Sequence, residues 1–145
     1  MTLAIDTAVR GVADVLRDRV APTLTDSYAI EAVRLAGIML TIMANAADDA
    51  VALRVAENAQ MRALFSEALA VVTGTALSSQ LEKAAGSTDP GLRISELDYE
   101  TDRLRRLLVA LQIQLETQAD SAAAALNQRI WRLLQEVEKS RAPRT

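Results

Sequence analysis

The chain has 145 residues, half of them apolar and 24% charged, with a formal net charge of −3. That is the composition of one globular domain, and it excludes a disordered chain and a general nucleic-acid binder, which needs a basic footprint. Cysteine and histidine are both absent, which removes disulfides, thiol chemistry, His-based triads, zinc and haem ligation and the Glu-x-x-His pairs of di-iron bundles.

Aromatics are scarce, so the apolar content is alanine and aliphatic, and alanine and leucine are strong helix formers. Fourteen of the sixteen basic residues are arginine, which with the many alanines points to a GC-rich bacterial genome. The N-terminal Met-Thr-Leu-Ala-Ile-Asp lacks the positive start and long apolar stretch of a signal peptide. The expected location is the cytoplasm.

In chain order, Ile5, Val9, Val12, Leu16 and Val20 recur at steps of four and three, which predicts a helix over 3–20, ended by Pro22. A second helix starts near Thr25 or Asp26, either of which can cap free amides. Leu35, Ile38, Met39, Ile42 and Met43 make it apolar on most faces. The expectation is a buried, central apolar helix near 26–46, with Gly37 allowing close approach of a neighbour. Its uncharged run, 35–47, has thirteen residues, against roughly 20 for a membrane span, so no span is expected.

A third helix is expected from Asp48 and Asp49, whose charges suit a helix N-terminus, to about Thr73. One stripe is small (Ala52, Ala56, Ala59, Ala63, Ser66, Ala70) and another bulky (Met61, Leu64, Phe65, Ala68, Val72). Two such faces predict a helix packed on both sides. A short helix over 76–85 follows, capped by Gly86, and 86–91 reads as a loop.

Ser95 and Asp98 have capping-box spacing and open the next helix. Leu97, Leu104 and Leu111, with Leu108 and Leu115, form a coiled-coil-like seam, to be used inside a bundle or across a dimer axis. No glycine or proline interrupts 95–140. The apolar register nonetheless slips after Leu115, and Asp120 and Ser121 are capping types, so two helices are expected, about 95–117 and 121–139. The tail 140–145 is expected to fray. Together these elements predict an all-α fold, a compact helical bundle of about five to six helices. It forms one domain over 1–145, with a subdivision possible only at the loop 86–94.

The chemistry-bearing groups are few. Glu96, Asp98, Glu100 and Asp102 can hold Mg²⁺, as acidic clusters do in helical nucleotide hydrolases, but no second acidic cluster of matching spacing follows, Asp48–Asp49 being the nearest candidate. The plainer reading is a helix start dressed with acid and neutralised by arginines. Arg103, Arg105 and Arg106 are a candidate anion site. Tyr28, Met39, Met43 and Trp131 are candidate lining for an apolar ligand pocket. The basic surplus over 129–145 suits the negative end of a helix. No residue is assigned a catalytic role and no cofactor is expected. The leading expectation is a non-catalytic interaction or accessory protein, a homodimer through the leucine seam in one form. A bundle that binds an apolar or acyl ligand is the second, and a Mg²⁺-dependent enzyme acting on a nucleotide-like substrate the third.

Overall fold

The computed structural model describes residues 4–143. Among them every regular element is helical and there are five α-helices: α1 (Ile5–Val15), α2 (Ser27–Ala68), α3 (Ala76–Ala85), α4 (Ile94–Glu116) and α5 (Ser121–Arg141). The all-α expectation holds. Leu3, placed in the first helix by its sequence pattern, and Arg144 and Thr145 of the expected tail lie outside the described residues. α5 runs to Arg141, further than expected.

The chain divides into two compact units, and the boundary after Ala50 falls inside α2. It does not fall at 86–94, which belongs to the second unit, Val51–Ala142.

The first unit holds α1 and the first part of α2. α1 widens at Leu16–Val20 into a π-helical turn, and a 3₁₀ turn at Ala21–Thr23 carries Pro22. Asp26 caps α2: its carboxylate accepts the Ala29 N–H at 2.8 Å. The two helices meet at Gly37, where an added Cβ would lie 3.8 Å from the Ala13 carbonyl oxygen. Arg10 ties them again by donating to Asn45 Oδ1 at 2.6 Å. Only Ala13, Ala44 and Ala50 are buried among the described residues of this unit.

That last observation corrects the expectation of a buried central helix. The segment is helical, as expected, but Leu35, Ile38, Met39 and Met43 are all more than half exposed. The sequence pattern reports that these side chains need cover; it does not report whether this chain supplies it. The break expected near Asp48 is also absent, because α2 continues through it to Ala68. No glycine or proline lies between Gly37 and Gly74 to end the helix, and capping residues do not by themselves interrupt one.

The second unit is a packed bundle of the last part of α2 with α3, α4 and α5. Its core contains Met61, Leu64, Phe65, Ala68, Val72, Leu81, Leu104, Leu111 and Ile130 among others. The bulky stripe of α2 therefore packs as expected. The small stripe does not: Ala52, Ala56, Ala59, Ala63, Ser66 and Ala70 are exposed. The leucine seam is spent inside this unit, since Leu97, Leu104, Leu108, Leu111 and Leu115 are all buried. A dimer through that seam would need surface the unit has already covered.

Turns follow local rules. Gly74 has φ +69°, a left-handed conformation that favours glycine. Thr75 and Ser78 form a reciprocal capping box at α3, each side chain bonding the other's backbone N–H at 3.2 Å. Asp120 caps α5 by accepting the Ala123 N–H at 2.7 Å. The α4 start differs from expectation: Ser95 lies inside the helix, and Glu96 reaches back to the Arg93 N–H at 3.2 Å. Gly91 makes room for that reach, as a Cβ there would lie 2.1 Å from Glu96 Oε2.

Candidate functional site

Two features stand out, one in each unit. The second unit carries a buried ionic network where α2, the 86–91 loop and α4 meet. α2 places Glu57, Asn58 and Arg62 on the same stripe as Met61 and Phe65, so three polar residues enter the core side of the helix. Asn58 is wholly buried. It accepts from the Thr101 hydroxyl at 2.8 Å and donates to Asp89 at 2.9 Å. Arg62 donates to Asp89 at 2.9 Å, to Glu100 at 2.7 Å and to the Ser87 hydroxyl at 3.1 Å. Arg103 adds two bonds to Glu100, at 2.9 and 2.7 Å. Glu57 pairs with Arg105 at 2.6 Å and with Arg141 on its other oxygen.

The hydrogen bonds from Arg103, and then those from Arg62, hold the Glu100 carboxyl below the usual glutamate range, against the opposing effect of burial. Glu100 in turn raises Arg103. Every carboxylate in this network is answered by a guanidinium. Such an arrangement fixes the 86–91 loop against α2 and α4, and offers neither a free general base nor an open metal position.

The acids read as a candidate magnesium cluster disperse accordingly. Glu96 bonds the Arg93 backbone, Asp98 pairs with Arg54 at 2.5 Å, Glu100 joins the buried network, and Asp102 lies at a surface groove. Asp48 and Asp49 belong to the first unit. Among the described residues no group of three or more acidic side chains is placed to hold a metal ion.

The candidate anion residues also separate. Arg103 turns to Glu100 and Arg105 to Glu57. Arg106 and Arg103 line an open groove of about 440 Å³ between α3 and α4, with Lys83, Gln80, Tyr99, Asp102, Leu107 and Ala110. The candidate pocket residues do not enclose a cavity: Tyr28 is 85% exposed and Trp131 55%, and Met39 and Met43 are open as well. In the basic C-terminal stretch, Arg129 pairs with Glu67 and Arg141 with Glu57.

The second feature is the apolar surface of the first unit. α1 turns Ala13 inward and leaves Ile5, Val12 and Val15 about half exposed or more. α2 turns Gly37 toward Ala13 of α1, and Val33 and Ile38 line the groove beside it with Ala13 and Arg17. Leu35, Met39 and Met43 then fall on its opposite side, about 160–240° round the helix at 100° per residue. Tyr28 lies on this uncovered side as well, while Ile38, more than half exposed, flanks the α1 groove. Fully burying one such side chain is worth about 1.5–3 kcal/mol, so several kcal/mol of stabilisation is left unrealised in the isolated chain. α2 is also the one helix among the described residues long and apolar enough, by length and composition, to cross a membrane.

Sequence reasoning found the apolar side chains but assigned them to the wrong surroundings, and it missed the buried network. Its signal was present: Glu57, Asn58 and Arg62 interrupt an otherwise apolar stripe that continues through Met61, Leu64, Phe65 and Ala68. Comparison with protein-family models, curated proteins and solved structures finds no match for this chain.

Proposed function

We propose that this is a non-catalytic interaction protein whose first unit is a docking surface for another protein's helices. One observation carries the reading: two adjoining helices expose Ile5, Val12, Leu35, Ile38, Met39 and Met43 while burying only alanines of their own. A helical hairpin of this size cannot bury enough apolar surface to be stable alone, and contiguous exposed apolar patches mark interaction sites.

A bilayer fits the same face less well. The uncharged run 35–47 is only about 20 Å long as a helix, against about 30 Å of hydrocarbon. Arg10, Asp14, Arg17 and Arg34 lie within the hairpin as well.

The test is the double variant Ile38→Lys with Met43→Lys. Wild-type protein is expected either to bind a hydrophobic dye through this face or to have it covered by protein. The variant is expected to lose both behaviours with the melting of the second unit unchanged. The reading fails if wild type and variant are indistinguishable in dye binding and in mass, or if the second unit unfolds in the variant.

The α3–α4 groove supports a second reading, a site for a small phosphorylated ligand. Among the described residues neither Lys83 nor Arg106 has an acidic partner within salt-bridge distance, and Tyr99 is open for stacking. Titration with phenyl phosphate is expected to saturate in wild type and to weaken at least tenfold in Lys83→Ala/Arg106→Ala. Equal binding by both proteins, or none by wild type, discards it.

A further inference from the structure

We infer that the groove between α3 and α4 is shaped for a nucleoside 5′-monophosphate. This rests on the reading of that groove as a site for a phosphorylated ligand, and names the ligand class.

The order of side chains along α4 carries the inference. Tyr99, Asp102 and Arg106 line the groove in that succession, spread over about 10 Å of helix axis at about 1.5 Å per residue. An aromatic ring, a carboxylate and a guanidinium therefore follow one another along one wall. A nucleoside monophosphate presents their complements in the same order: a flat base, a sugar bearing hydroxyl donors, and a phosphate. Lys83 lines the groove from α3 and supplies a second cation for the phosphate dianion.

These groups are not spent on the fold. Tyr99 is 73% exposed. Among the described residues Lys83, Asp102 and Arg106 take part in no ion pair or side-chain hydrogen bond. That holds even though Asp102 and Arg106 stand four apart, a spacing at which a helical ion pair can close. Arg103 is not part of the set, because Glu100 holds it at 2.7 Å and Ser87 at 3.2 Å.

Asp102 also selects among phosphorylated ligands. A carboxylate accepts hydrogen bonds from ribose hydroxyls and repels a second phosphate extended toward Tyr99. Past Arg106 the α4 lining is Leu107 and Ala110, and α3 adds only Gln80 beside Lys83, so no cation answers a longer phosphate chain there. The groove fits one phosphate rather than two or three.

Isothermal titration of the full chain without divalent ions tests this, with adenosine 5′-monophosphate, its 2′,3′-dideoxy form, adenosine 5′-triphosphate and phenyl phosphate as probes. The monophosphate is expected to bind at least tenfold more tightly than phenyl phosphate, and the triphosphate no more tightly than the monophosphate. Loss of both hydroxyls is expected to weaken binding at least fivefold in wild type and to have no effect in Asp102→Ala. Asp102→Ala is expected to keep its affinity for phenyl phosphate. The dideoxy comparison in wild type needs no variant, and Asp102 is exposed, so the variant's melting temperature is expected to match wild type.

Equal affinity for the monophosphate and phenyl phosphate overturns the inference and leaves the phosphate reading in place. So does a tighter triphosphate, or a hydroxyl effect that is absent from wild type or survives in Asp102→Ala. If wild type binds none of the four probes, the phosphate reading falls with the inference.

Discussion

Glu100 accepts hydrogen bonds from two arginines while its side chain is almost wholly removed from water. Removing one partner of a buried ion pair leaves the other uncompensated and costs about 3–5 kcal/mol. Glu100→Gln is therefore expected to lower the unfolding free energy by about that much at neutral pH, measured by urea denaturation. Because the folded carboxyl titrates below its ordinary range, its stabilisation is complete above the unfolded value of about 4.3 and is lost as pH falls through the lower folded value. The gap between wild type and Glu100→Gln is expected to close in that acid range; a gap that stays constant there would mean Glu100 is not ionised in the fold. Half of this cluster was legible in the sequence. The spacing of Glu100 and Arg103 announces a helical pair. The links from Asn58 and Arg62 to Asp89 join residues 31 and 27 positions apart, and no local pattern encodes such a partner.

At the level of elements, the sequence located α3 and the α4–α5 junction within a residue or two, because each is marked by residues whose roles are local. Asp120 is the clearest: Asp120→Ala is expected to destabilise the second unit by about 1 kcal/mol through loss of the α5 cap, read as a drop in melting temperature. α2 departs from the expected two helices for the converse reason: the acidic residues at 48 and 49 suit a helix start, but nothing in that stretch interrupts the helix. Gly37 gives a second test at this scale. A Cβ added there meets only ordinary contact at 3.8 Å. Gly37→Ala is accordingly expected to raise stability by up to about 1 kcal/mol through better helix propensity. A destabilised Gly37→Ala would show that α1 and α2 pack closer than this structure has them.

For the whole molecule, helical periodicity fixes which side chains want cover and is silent on what covers them. Two stripes of equal apolar strength have opposite fates: Met61, Leu64 and Phe65 are buried within their own unit, and Leu35, Ile38 and Met39 are not. The difference lies in the neighbours each stripe receives from distant sequence. α3, α4 and α5 supply a core to Val51–Ala142, whereas the first unit has only α1 to offer, and Ala13 is the one residue of α1 that is buried. Stability must therefore be unevenly distributed. A segment comprising 51–142 is expected to fold alone and to melt cooperatively, with a heat-capacity change of about 1.1–1.4 kcal/mol/K for its size. A segment comprising 1–50 is expected to show little helix at micromolar concentration, because short helices without tertiary cover are marginal in water, and to gain helix as its concentration rises. Calorimetry on the first segment and circular dichroism on the second check both statements. A 1–50 segment that is fully helical and monomeric when dilute would show that its exposed apolar face needs no partner to hold the hairpin together.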